Sequence, residues 1–168
     1  MKYTFLAIAF SAFLFSCNKN PEEMGVNAYK AQNKEAQEEK IFDSISKEAQ
    51  QTLDDFKLAY SMKDTTTTNF MLQEKFEIPN AKAREGIWIG NIFTDNDTLK
   101  GVVNSQPQYT KLVKLNDTVT IDESKISDWM YYKADKMIGG YTIKYIRSKL
   151  SDAEKVEFDK QYKVKFED

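Results

Sequence analysis

Between Met62 and Thr68 the spacing of apolar side chains changes from helical to extended, and that change limits the class of fold open to this chain. Upstream, from Ala28 to about Ser61, there is no Pro or Gly, and Ile41, Ile45, Ala49, Leu53, Phe56 and Tyr60 recur every three or four residues. That spacing predicts one amphipathic helix whose stripe faces a core. Thr65 to Thr68 then place β-branched side chains with competing hydroxyls in succession, which disfavours helix and suits a turn into a strand. Beyond them Phe70, Leu72, Glu74 and Phe76 alternate with Met71, Gln73, Lys75 and Glu77, a strand with one mainly apolar and one mixed face that stops at Pro79. A helix followed by segments of period two predicts an α+β fold: a long N-terminal helix, a mainly antiparallel β-sheet and a short C-terminal helix.

The remaining elements follow the same logic. Gly86 to Phe93 is the most apolar window of the domain and reads as a central strand, with Asp95-Asn96-Asp97 as a turn and Thr98 to Asn104 returning antiparallel. Ser105 to Gln108 around Pro107 is a loop. Lys111 to Asp122 reads as a second hairpin-like unit, with Leu112, Val113 and Leu115 before Asn116-Asp117, and Val119 and Ile121 after it. Ser127 to Lys133 and Met137 to Ile146 flank a polar turn at Ala134-Asp135-Lys136. Ser151 and Glu154 have capping-box spacing before a terminal helix anchored by Val156 and by Phe158 to Tyr162.

The first seventeen residues bear on location. Lys2, an apolar run from Tyr3 to Phe15, and Leu14-Phe15-Ser16-Cys17 read as a bacterial lipoprotein signal with a lipobox. The run, about 13 residues, falls short of the roughly 20 a spanning helix needs. Cys17 is the expected site of lipidation and the first mature residue. Residues 18–27 have the composition of a flexible tether, 28–52 form the helix, polar as far as Lys40, and 53–165 form the α+β domain. Attachment to a membrane through N-terminal lipid is the expectation. Asn18 in place of the Asp that commonly retains enteric lipoproteins at the inner membrane points to an outer membrane, facing the periplasm. Lys19 with Glu22-Glu23 is a fragment of a surface-export signal that Asn20-Pro21 interrupts, so surface exposure is the lesser reading.

Composition removes several chemistries. With no histidine, a Ser-His-Asp triad, a Cys-His pair or a His-ligated metal cannot be built, and a single cysteine allows neither an internal disulfide nor a cysteine zinc cluster. No cofactor is implied. The 24 basic and 26 acidic side chains are interleaved, which argues against nucleic acid and weakens electrostatic attraction to anionic headgroups.

Asp128-Trp129-Met130-Tyr131, then Gly139-Gly140-Tyr141-Thr142, preceded by Leu115 to Ile121 and followed by Leu150 to Glu154, resembles the bacterial family catalogued as domain of unknown function 2314. The resemblance extends more loosely over Leu53 to Tyr162 and implies a small α+β domain with no established reaction. On physical grounds Gly139 and Gly140 suit a bulge, a positive backbone angle or a close approach, while Trp129, Tyr131 and Tyr141 have apolar bodies with polar tips. A role in folding is the leading reading of this signature. The alternatives are an exposed aromatic surface for a protein partner in the envelope, composed of Asp128, Trp129, Tyr131, Gly139, Gly140 and Tyr141, and a small-ligand pocket.

Asp128 beside Trp129 is also the best single candidate for carboxylate chemistry, with Asp122 or Glu123 as a second carboxylate of a hydrolase acting on envelope polymers. A cap on a turn or a short helix is the commoner use of such an Asp. Lys144 and Arg147 share a face only if their segment is helical. The function expected overall is non-catalytic binding, with the hydrolase and an inhibitor or immunity-type protein as alternatives.

Overall fold

A computed structural model of the chain describes residues 21–162 and 164–166. Cys17, the lipobox and residues 18–20 lie outside the described residues. The chain divides into two compact units, 1–38 and 39–168. In the first, the backbone is helical from Pro21, so residues 21–27 of the expected tether are helix. Pro at the first helical position lacks only an N–H that would have no intrahelical partner there. No described helix is long and apolar enough to cross a membrane.

The single expected helix is two, α1 (Pro21–Gln51) and α2 (Leu53–Met62), with Thr52 between them at φ −106°, ψ 7°. The Thr52 hydroxyl donates to the Glu48 carbonyl at 2.8 Å, a local bond that competes with regular helix continuation. The stripe survives the break: Ala49, Leu53 and Phe56 are buried. Lys63, in the left-handed region at φ 50°, ends α2.

Six strands follow: β1 (Thr67–Glu77), β2 (Arg84–Asp95), β3 (Thr98–Val103), β4 (Thr118–Thr120), β5 (Ile126–Lys133) and β6 (Lys136–Gly139). They form one sheet in the order β4-β3-β2-β1-β5-β6, with antiparallel pairings throughout. Register separates two cores, because Leu72 faces Trp129 while Met71 faces Met130 and successive side chains alternate sides. On one side Leu72, Ile89, Ile126 and Trp129 pack with Ala49, Leu53 and Phe56. On the other, Met71, Met130 and Met137 pack with Ile143 and with partly buried Phe158, Tyr162 and Phe166. These last belong to or follow α3 (Tyr141–Ser148) and α4 (Asp152–Tyr162).

Other expectations differ from what is observed. The Lys111–Asp122 hairpin is half absent: only Thr118–Thr120 is a strand, and it pairs with β3. Val103 uses its own N–H and carbonyl on Asp117 and Asn116, and the Thr110 hydroxyl is tied to the Glu77 carbonyl, so residues 111–115 have no strand to pair with. Met137 to Ile146, left open between strand and helix, is both. It turns at Gly139 and Gly140 into α3, which puts Lys144 and Arg147 on a helix. Arg147 donates to both carboxylate oxygens of Asp159 at 2.7 and 2.9 Å, joining α3 to α4. Val156 is 60% exposed and anchors nothing, so Phe158 and Tyr162 hold α4. In the capping box Glu154 accepts from both the Ser151 amide and its hydroxyl, so the serine donates instead of accepting.

Candidate functional site

Asp128, in β5, has no exposed surface and collects three backbone N–H groups. Oδ1 accepts from Trp129 at 2.7 Å and Tyr141 at 3.1 Å, and Oδ2 accepts from Thr142 at 2.7 Å. Tyr141 and Thr142 open α3, whose preceding residue, Gly140, has no side chain to cap with. A carboxylate from a neighbouring strand therefore does the work of an N-cap and meets the positive end of the helix. Burial pushes the Asp128 carboxyl above the usual carboxylate range, and its amide donors pull in the opposite direction without fully offsetting that push.

Gly139 and Gly140 make this arrangement possible. Both have positive φ, 70° and 65°. A Cβ on Gly139 would overlap the Trp129 carbonyl oxygen and lie 2.5 Å from the indole ring; one on Gly140 would lie 2.5 Å from the Met137 sulfur. The chain thus leaves β6 tightly against Trp129 and enters α3 within one residue. Trp129 in turn ties this corner to α1, because its Nε1–H donates to the Ala49 carbonyl at 3.1 Å and to the Thr52 hydroxyl at 3.2 Å. Tyr141 shares a 2.9 Å hydrogen bond with that same hydroxyl and packs edge-on against Trp129. Burial raises the Tyr141 phenol above its ordinary range. Tyr131 stacks on Phe70 at 4.9 Å.

The residues singled out as a surface are thus brought together, but mostly inside. Asp128, Trp129, Gly139 and Gly140 are buried, while Tyr131 and Tyr141 are half-buried. They do not form an exposed aromatic patch. Nor does Asp128 join a second carboxylate: Asp122 accepts from Ser124, and Glu123 accepts from Lys57 at 2.6 Å. A buried carboxylate that sequence reasoning passed over, Glu74, accepts from the Asp122 amide at 3.2 Å, and burial raises its pKa. Its place on the apolar face of β1 was the available signal. Among the described residues no group of three or more metal-ligating side chains occurs.

The outer side of the same corner is open. Ile41, Ile45 and Ser44 of α1 face Tyr141 and Tyr145 of α3 across a cleft of about 370 Å³, with Lys40, Glu48 and Lys144 also lining it. The volume lies in the range of small-molecule and side-chain pockets. Tyr145 is fixed edge-on to Phe42 at 5.5 Å, and Lys149 lies 4.9 Å over its ring. Among the described residues neither Lys40 nor Lys144 has an ion-pair partner. Sequence reasoning found Tyr141 and Lys144 but missed Tyr145; Tyr141, Lys144 and Tyr145 have helical spacing, a signal that only appears once α3 is recognised. A second, more polar groove of about 1000 Å³ is bordered by Glu39, Asp43, Lys75, Glu77, Lys82 and Arg84, and is crossed by a 3.7 Å Lys75–Asp43 ion pair.

Known proteins extend this picture. A 97-residue stretch is 31% identical to the uncharacterized protein YegJ of Escherichia coli K12, covering 58% of this chain and 61% of that one. An 84-residue stretch is 31% identical to a Neisseria meningitidis serogroup B protein named "Putative ankyrin repeat protein", covering 50% of this chain and 33% of that one. The chain therefore spans less than two thirds of the length of either relative. No solved structure matches. The profile of the family described as "Uncharacterized protein conserved in bacteria (DUF2314)" matches residues 38–166, nearly the whole of the second unit, and the chain belongs to that family.

Proposed function

We propose that the protein is a non-catalytic binding module held at the cell envelope by lipid on Cys17, and that it takes a protein partner in the cleft between α1 and α3. The observation that supports this reading is the cleft itself, an apolar floor of Ile41, Ile45, Tyr141 and Tyr145 with two lysines that have no ion-pair partner among the described residues. An apolar side chain flanked by an acidic one suits such a site, with Lys40 and Lys144 meeting the charge. The buried signature supports the cleft instead of forming it: Asp128 caps the helix that carries Tyr141, Lys144 and Tyr145.

The test is photo-crosslinking in intact cells from a probe residue at Ser44, compared between the parent and a Lys40→Glu, Lys144→Glu variant. Both lysines are exposed, so the fold should persist. One abundant protein captured by the parent and lost in the variant is the expected result; equal capture by both defeats the reading. A tight stoichiometric complex with a secreted toxin would narrow it to an inhibitor or immunity role. Anchoring is checked separately. Cys17→Ser should release the protein from membranes or leave an uncleaved precursor, and normal retention of mature protein would remove the lipid from the proposal.

A hydrolase reading retains one supporting observation, the larger groove with Glu39, Asp43 and Glu77 on its walls. Glycan fragments trapped by Asp43→Asn and absent from the parent would favour it.

A further inference from the structure

We infer that the loop between β3 and β4 is a membrane-docking surface that inserts Tyr109, Leu112 and Leu115 among the headgroups of an anionic bilayer. These side chains are 68%, 61% and 42% exposed, three of the eight large apolar side chains exposed among the described residues, gathered within seven positions. The loop does not hold them outward by accident of mobility. Glu85 accepts from the amides of Gln108, Tyr109 and Thr110 at 2.7 to 2.9 Å. The Thr110 hydroxyl donates to the Glu77 carbonyl at 2.8 Å, and Lys114 N–H donates to Asp117 Oδ2 at 2.8 Å. Val113 is buried as a plug, which turns its neighbours Leu112 and Lys114 toward solvent.

Charge selects the occupant. From Thr98 to Asp117 the chain contains Lys100, Lys111 and Lys114 against one acid, Asp117, whose carboxylate accepts the Lys114 amide, although the protein as a whole is formally −2. Lys100 is paired with Asp95 at 2.7 Å. Lys111 and Lys114 are exposed, and among the described residues neither has an ion-pair partner, although Lys111 acts at longer range on Glu85. Aliphatic tips with adjacent lysines and a tyrosine match the layers of a bilayer surface, acyl chains, phosphates and headgroup boundary respectively. A protein partner that grips such tips would leave shape requirements on this side too, and the loop lines neither the α1–α3 cleft nor the groove between Glu39 and Arg84. A fluid surface imposes none. This surface is separate from the α1–α3 cleft and stands or falls independently of it.

The test places a fluorophore on the loop of the full chain in vesicles. Tyr109→Trp, made in a Trp88→Phe background so that buried Trp129 is the one other tryptophan, adds an indole whose emission is taken as the difference from that background. In phosphatidylglycerol-containing vesicles that difference emission should shift to the blue and be quenched by brominated acyl chains; in pure phosphatidylcholine it should not. Replacing both lysines, Lys111→Gln with Lys114→Gln, should weaken docking roughly thirty-fold, from about 1 kcal/mol for each basic residue near an anionic surface. A Leu58→Trp control on α2, equally exposed in the parent, should stay unquenched. The inference is overturned by an unquenched tryptophan at 109 in anionic vesicles, by equal quenching in neutral ones, or by equal quenching at 58. Capture of a protein at this position without quenching would assign the loop to that protein instead.

Discussion

Asp128 and Glu85 do the same mechanical job in opposite surroundings. Each accepts from three backbone N–H groups: Asp128 takes the two that open α3 and that of Trp129 beside it in β5, and Glu85 takes three in succession along residues 108–110, which no strand or helix holds. Asp128 is wholly buried, and its carboxyl is pushed up despite its donors. Glu85 retains some solvent; burial opposes ionisation there too, but the amides of Thr110, Gln108 and Tyr109, with Lys111, outweigh it and hold its pKa below the ordinary range. The difference shows what solvent does for a carboxylate cap. With three backbone donors each, the one that keeps part of its hydration stays the readier to ionise, whereas for the one stripped of water burial outweighs what its hydrogen bonds gain.

The interior corner should be the less forgiving of the two, and the sharpest way to break it is Gly139→Ala. The added carbon meets the Trp129 carbonyl and ring at a backbone angle alanine avoids, so a loss above about 4 kcal/mol, or failure to fold, is expected. A cooperative melt near the parent's would show that the corner yields. Trp129→Ala comes next, at roughly 3 to 5 kcal/mol, from the cavity together with the indole's lost hydrogen bonds to the Ala49 carbonyl and the Thr52 hydroxyl. Chemical denaturation checks it, and a change near zero would mean that the indole contributes no core packing. Asp128→Asn keeps the shape but presents an amide NH₂ to one of the helix N–H groups. The expected loss is about 1 to 3 kcal/mol at neutral pH, and helix-resolved hydrogen exchange should show α3 opening first.

How much of this was legible in the sequence follows from which interactions are local. The β2–β3 hairpin was visible because Asn96 and Asp97 fill left-handed positions at φ 47° and 59° with residues that tolerate them. The two-faced pattern of β1 and the stripe through Ala49, Leu53 and Phe56 were visible because a periodic face must be buried. The glycine pair announced a positive backbone angle. What it did not announce was the direction of the chain afterwards: α3 starts only because Asp128, twelve positions upstream of Gly140, supplies the cap its own sequence lacks. Residues 111–115 fail as a strand for a similar reason, since Glu85 and the Glu77 carbonyl fix residues 108–110 just before them from far away in sequence. Apolar character alone could not separate a strand that lacks a neighbour from one that has it. For the candidate site, Tyr141 and Lys144 were found, but the cleft was not, because it needs α1 and α3 side by side.

The exposed member of the pair yields the smallest effect and the most distinctive one. Glu85→Gln should cost about 1 kcal/mol at neutral pH, where a charged acceptor is replaced by a neutral one that can still accept. Because the folded protein holds the Glu85 carboxyl below its ordinary range, ionised Glu85 contributes stability that is fully present above that range and is lost as pH falls through the folded value. The gap between parent and Glu85→Gln should therefore close on acidification. Asp128 must behave in the opposite sense. Its folded carboxyl lies above the ordinary aspartate range, so the folded state binds the extra proton and stability attributable to the group falls as pH rises from that range through the raised value. Measured as denaturant midpoints against pH, the parent's advantage over Glu85→Gln should grow with pH while its advantage over Asp128→Asn shrinks. Parallel curves for the two variants would mean that burial does not distinguish the two caps, and the contrast drawn between the interior corner and the surface loop would fall with them.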